Sequence, residues 1–148
     1  MNKLHKNKLK NEFVERGRSQ SEAWLVDLLK IKTKGLNIQT NVKGIIPRQE
    51  LDMFFPDILL AVEIDGPSHH HNIYGDKRLE ESIERDNRKN KNCAKLGIKL
   101  YRICLPSDSR DYYRFLKEDV LNDLVICIKD RLSKHTNDNS LVVINNPM

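Results

Sequence analysis

Residues 50–70 read ELDMFFPDILLAVEIDGPSHH, and the fold turns on how they are read. Apolar runs on either side of Pro56 predict two strands, one around Glu50 to Phe55 and one over residues 58–64. Carboxylates interrupt both runs at alternate positions, although buried strands do not normally hold unpaired carboxylates. Residues two apart on a strand project to one face, so Glu50 and Asp52 share a face of the first strand, and Glu63 and Asp65 share a face of the second. If the two strands are neighbours, three or four carboxylates converge. Such a cluster repels itself unless a cation sits among its oxygens, and hard oxygen ligands of this kind suit Mg²⁺, with Mn²⁺ as the alternative. Taken singly, Asp52 and Asp65 read as residues of half-exposed strands, and Asp65-Gly66 as a plain turn. Taken together, the carboxylates point to a metal.

His69, His70 and His71 follow in the loop that leaves the second carboxylate strand. Histidine titrates near neutrality and can act there as acid, base or ligand. His69 is the candidate of the three, with His70 and His71 as bystanders.

Upstream, Ser19-Gln20-Ser21-Glu22 has the S-x-x-E spacing of a capping box. It leads into Trp24, Leu25, Leu28, Leu29 and Ile31 at helical intervals, which predicts a helix from Ser19 to near Gly35. A further strand is expected around Asn37 to Val42, with Gly44, Pro47 and Pro56 as turn residues. Downstream, a second helix runs from about Asp76 to Leu96, is stopped by Gly97, and is followed by a strand over residues 98–103. A last amphipathic helix, about Asp111 to Leu132, would bury Phe115, Leu121, Leu124, Val125, Ile128 and Leu132. In the second helix the stripe through Leu79 and Ile83 arrives at Asp86 and Asn90, with Arg85 and Arg88 on its flanks. A helix face looking into an active site and a solvated charged helix both fit that pattern.

The order helix, three strands, helix, strand, helix predicts an α/β fold whose mixed sheet is flanked by helices. A single domain over residues 19–133 accounts for it, preceded by a basic arm at 1–18 and followed by a tail at 134–148 that offers an edge strand or a partner contact. Hydrophobic residues at 39% and charged residues at 32% lie in the globular range. Lys and Arg number 26 against 21 Asp and Glu, a net charge of +5 that favours a polyanionic partner. Cys93, Cys104 and Cys127 form no CxxC pair, which argues against structural zinc and a disulfide framework and for reduced thiols in the cytoplasm. No apolar segment suggests export or a membrane span.

The ordered set Ser21-Glu22, Glu50-Leu51-Asp52, Glu63-Ile64-Asp65-Gly66 with His69, ERDNRKN at 84–90 and GIKLYRI at 97–103 resembles the very-short-patch-repair-like branch of the PD-(D/E)xK nucleases, which includes phage EDxHD homing endonucleases. The likeness covers residues 19 to about 104. It implies a restriction-endonuclease-like αβββαβ core and Mg²⁺-dependent hydrolysis of DNA, in a bacterial or phage-encoded setting. Glu22, Asp52, His69 and Asp86 take the E, D, H and D positions of the branch motif. The implied catalytic set is Glu22, Asp52, Glu63, Asp65, His69 and Asp86, with Asp52, Glu63 and Asp65 on the metal and Arg85 and Arg88 on DNA. Glu63-Ile64-Asp65 stands where E-x-K is usual, so Asp65 replaces the lysine and water activation shifts towards His69. Two other classes stay open: a non-catalytic DNA-binding or assembly module, and a dimeric junction resolvase with an interface on the last helix. No zinc finger or helix-turn-helix is visible, which leaves room for a separate specificity subunit.

Overall fold

The computed structural model describes residues 18–66, 76–134 and 141–145. The expected basic arm and His69 to His71 lie outside these residues, as does the capping role of the Ser19 side chain. Helix α1 (Arg18–Lys32) precedes three consecutive strands, β1 (Gln39–Ile46), β2 (Gln49–Phe55) and β3 (Leu60–Asp65). Helix α2 (Asp76–Lys95) and strand β4 (Lys99–Cys104) come next. A short 3₁₀ turn leads into α3 (Tyr112–Phe115), a π-helical turn at Leu116–Val120 and α4 (Leu121–Lys134), and β5 (Val142–Asn145) closes the order.

The chain is α/β, with a five-stranded mixed sheet in the order β1-β2-β3-β4-β5. The pairs β1/β2 and β2/β3 are antiparallel, whereas β3/β4 and β4/β5 are parallel. The tail therefore does supply an edge strand. Every residue of β3 and β4 is buried, as expected of central strands covered on both faces.

Two cores lie on opposite faces of the sheet. On one, Leu25 and Leu29 of α1 pack with Val62, Ile64, Tyr101 and Ile103, and with Leu116, Val120, Leu124 and Ile128. On the other, Cys93 of α2 packs with Leu51, Phe54, Ala61, Ile98 and Leu100. The periodicity predicts the last helix as one regular segment, but the structure interrupts it. Its apolar residues 116, 120, 124 and 128 recur every four positions, which overshoots an α-helical turn by about 40° each time. The wider π turn takes up part of that drift and keeps Leu116 and Val120 fully buried. Ile31, Ile83 and Leu132, expected on buried faces, are 66%, 45% and 44% exposed.

Helix α2 ends as its sequence dictates. Gly97 adopts φ 74, and the Ile98 N–H donates to the Cys93 carbonyl at 2.9 Å. This is the 6→1 bond of a Schellman cap, and it turns the chain directly into β4.

Candidate active site

The β2/β3 ladder runs from Phe55↔Leu60 to Met53↔Val62. Beyond it, the Asp52 Oδ2 accepts the Ile64 N–H at 2.8 Å. A side-chain carboxylate thus occupies the place where main-chain pairing would continue, and it sits in the fork between the two strands. Asp52 is half-buried there, and the next acidic residue across the fork is Glu63, 4% exposed.

Glu63 is surrounded by opposing influences. Burial, and after it the neighbouring Asp52 charge, raise its pKa from 4.5 to about 8, while Lys89 pulls it down. The Lys89 Nζ donates to the Glu63 Oε1 at 2.9 Å and to the Glu50 carbonyl at 2.6 Å. Lys89 reaches in from α2, and its side chain is 14% exposed. Positions 63 and 65 carry no lysine, but the fold delivers one from a helix.

Asp65 and Asp86 lie in a neighbouring cluster built around Arg102, itself 4% exposed. The Arg102 Nη1 donates to both Asp65 oxygens, at 3.2 and 2.9 Å. The same nitrogen stands 3.5 Å from the Asp86 Oδ1, Nη2 donates to the Asp86 carbonyl at 3.3 Å, and Nε donates to the Asn90 Oδ1 at 2.9 Å. The polar gap in the α2 stripe therefore faces the sheet, and Asp86 and Asn90 meet a buried guanidinium. Burial works against the charge on Arg102, while Asp65 and then Asp86 hold its pKa above the usual arginine value.

Towards α1, Asp52 and Glu22 line one open cleft of about 520 Å³, together with Val26, Lys30, Asn41 and Met53. The six expected catalytic residues thus divide. Glu22, Asp52 and Glu63 fall around the fork, Asp65 and Asp86 around Arg102, and His69 lies outside the described residues. Arg85 and Arg88 are exposed on α2.

Among the described residues no group of three or more His, Cys, Asp or Glu side chains is arranged to hold a metal ion. The Asp52–Glu63 pair nevertheless suits Mg²⁺, which keeps several of its waters and is commonly bound through one or two carboxylates. A cation at the fork would counter the burial and the Asp52 charge that raise the Glu63 pKa, and would favour its ionised form.

Lys89 is the residue that the sequence reading missed. Its signal was its place three residues after Asp86 and beside Asn90, on the inward edge of the same helix face.

No family model, curated protein or solved structure matches the chain. No helix among the described residues is long and apolar enough to cross a membrane.

Proposed function

We propose that the chain is a metal-dependent DNA endonuclease with a restriction-endonuclease-like core, and that Lys89 supplies the amino group absent from position 65. The observation that supports this best is the meeting of Asp52, Glu63 and Lys89 at the β2/β3 fork. Two carboxylates and a lysine converge there, and one of them, Asp52, lines an open cleft.

In this reading Asp52 and Glu63 would hold a Mg²⁺ ion, which, when bound, lowers the pKa of water and offsets charge on phosphate oxygens. Lys89 orients Glu63 and places positive charge where negative charge grows as the phosphate is attacked. Glu22 extends the carboxylate set along the cleft shared with Asp52. Arg102 with Asp65 and Asp86 holds α2 against β3 and β4, so those two carboxylates act by positioning Lys89. Hydrolysis adds the water oxygen to phosphorus and breaks the phosphorus–oxygen bond to the leaving sugar, which takes up a proton. His69 remains the candidate to handle a proton in this step.

The deciding experiment is incubation of the purified protein with supercoiled, linear and single-stranded DNA in Mg²⁺, Mn²⁺ or EDTA. Metal-dependent nicking or linearisation is expected. Binding without cleavage under every metal condition would favour the non-catalytic DNA-binding module instead.

A further inference from the structure

The β1–β2 hairpin carries Asp52 into the candidate site, and its turn lies beside that site without belonging to it. From Lys34 to Gln49 the chain carries Lys34, Lys43 and Arg48 and no carboxylate. Lys43 and Arg48 are exposed. Arg48 follows Pro47 in the turn and has φ 62. A positive φ directly after a turn proline belongs to a position that Gly or Asn normally fills. A side chain with a Cβ is disfavoured there, so an arginine at this position points to a use for its guanidinium.

The hairpin tip is also anchored to α2. The Gln49 Nε2 donates to the Arg85 carbonyl at 3.1 Å, and Ile46, 1% exposed, packs with Cys93 and Ile98. A register shift between Lys43 and Ile46, with Gly44 at φ 91, interrupts β1 just before that contact. Arg48 is thus the immediate chain neighbour of a residue bonded to the main chain of the exposed Arg85. Asp52 is the fourth residue after Arg48, about 13 Å along an extended strand.

The outward charge of α2 changes sign near its middle. Residues 76–84 carry Asp76, Glu80, Glu81 and Glu84 against Lys77 and Arg78. Residues 85–95 carry Arg85, Arg88, Lys91 and Lys95 outward, and the one carboxylate among them, Asp86, is engaged by Arg102. The basic half is the half next to the hairpin.

We propose that Arg48 contacts a DNA phosphate, and that the hairpin and the basic half of α2 together grip the duplex backbone on one side of the cleavage site. This rests on the nuclease reading given above. The occupant is duplex DNA because the carboxylate-free stretch from Lys34 to Gln49 and the basic helix segment it packs against present matching charge on one side of the fork.

Arg48→Gly provides the test, since glycine suits the turn and only the charged side chain is lost. Binding to a labelled random-sequence duplex is followed by fluorescence anisotropy in EDTA across a salt series, with melting temperature and nicking measured in parallel. The expected result is a melting temperature that is unchanged or higher, affinity reduced several-fold, and a salt slope smaller by about one. Arg48→Lys should restore most of the binding. Wild-type affinity and slope in a folded Arg48→Gly protein that still nicks DNA would overturn the hairpin proposal alone. A lowered melting temperature would also overturn it, because the arginine would then be serving the turn. Wild-type protein that binds anionic lipid vesicles but no duplex would overturn both this proposal and the nuclease reading.

Discussion

Glu63 has neighbours that push its charge in opposite directions, and the balance makes it a pH-dependent group. Its folded-state pKa of about 8 lies above the ordinary 4.5, with burial and Asp52 as the causes. Below 4.5 the folded and unfolded chains both keep the proton, so the contribution to stability is fully present. As pH rises towards 8 the unfolded chain releases the proton while the folded site resists, and stability falls. A tenfold difference in proton affinity between the two states corresponds to about 1.4 kcal/mol, so the loss across this window amounts to a few kcal/mol. The melting temperature in EDTA should therefore decline across that window, and Glu63→Gln should flatten the profile. A flat wild-type profile would show that Lys89 alone keeps Glu63 charged. Asp52→Asn tests the same fork from its other side. The asparagine oxygen can still accept the Ile64 N–H, so the strands should stay in place. Nicking should be lost, while stability in EDTA at the upper end of the window should hold or rise because Glu63 loses a repelling neighbour. Mg²⁺-dependent cleavage at wild-type rate by the folded variant would remove Asp52 from the proposed site.

Helix α2 is docked on the sheet mainly by polar side chains, since Cys93 is its one buried residue. That gives its two inward charges separable roles. Asp65→Ala leaves Arg102, 4% exposed, without its bidentate partner, and breaking a buried pair of this kind costs about 3–5 kcal/mol. Asp86→Ala should cost less, because its ion pair is longer, at 3.5 Å, and its carbonyl still accepts from Arg102. Lys89→Met keeps the helix and most of the packing, so nicking should fall far more than melting temperature does. An equal fall in both would make Lys89 a structural residue. The limits of α2 and the strand pattern were legible in the sequence, because Gly97 stops the helix and the apolar residues follow periods of 3.6 and 2. The pairing of Asp52 with Glu63 was legible from alternation. Lys89 was not, because a long side chain reaches across columns that a period treats as distinct. The engagement of Asp65 was hidden for another reason: Arg102 is brought opposite Glu63 only by the parallel register of β3 and β4. Ile31 was misplaced because it lies two residues past Leu29, about 200° round the helix from the buried stripe.

The whole molecule carries a net charge of +5, yet three carboxylates, Glu22, Asp27 and Asp52, line the cleft at the proposed site. Under the proposed nuclease function, the surface would have to attract phosphate while carboxylates are held next to the scissile bond. Without a divalent ion those carboxylates would repel a DNA backbone that the exposed Lys43, Arg48, Arg85 and Arg88 would attract. DNA affinity in EDTA should therefore fall steeply as salt rises, since each neutralised phosphate releases counterion, with a log–log slope of about −0.9 per contact. Asp52→Asn removes one negative charge from the fork without touching these basic residues. Its affinity for a labelled duplex in EDTA should match or exceed that of the wild type at every salt concentration, with the slope unchanged, even though its nicking is lost. Adding Mg²⁺ should improve binding by the wild type more than by the variant, because the variant has lost one of the two carboxylates proposed to hold the ion. Anisotropy titrations of both proteins with and without Mg²⁺ measure these quantities directly. Equal enhancement by Mg²⁺ in the two proteins would mean that the ion acts on the DNA rather than at the fork, and the Asp52–Glu63 pair would then be a structural device of the sheet.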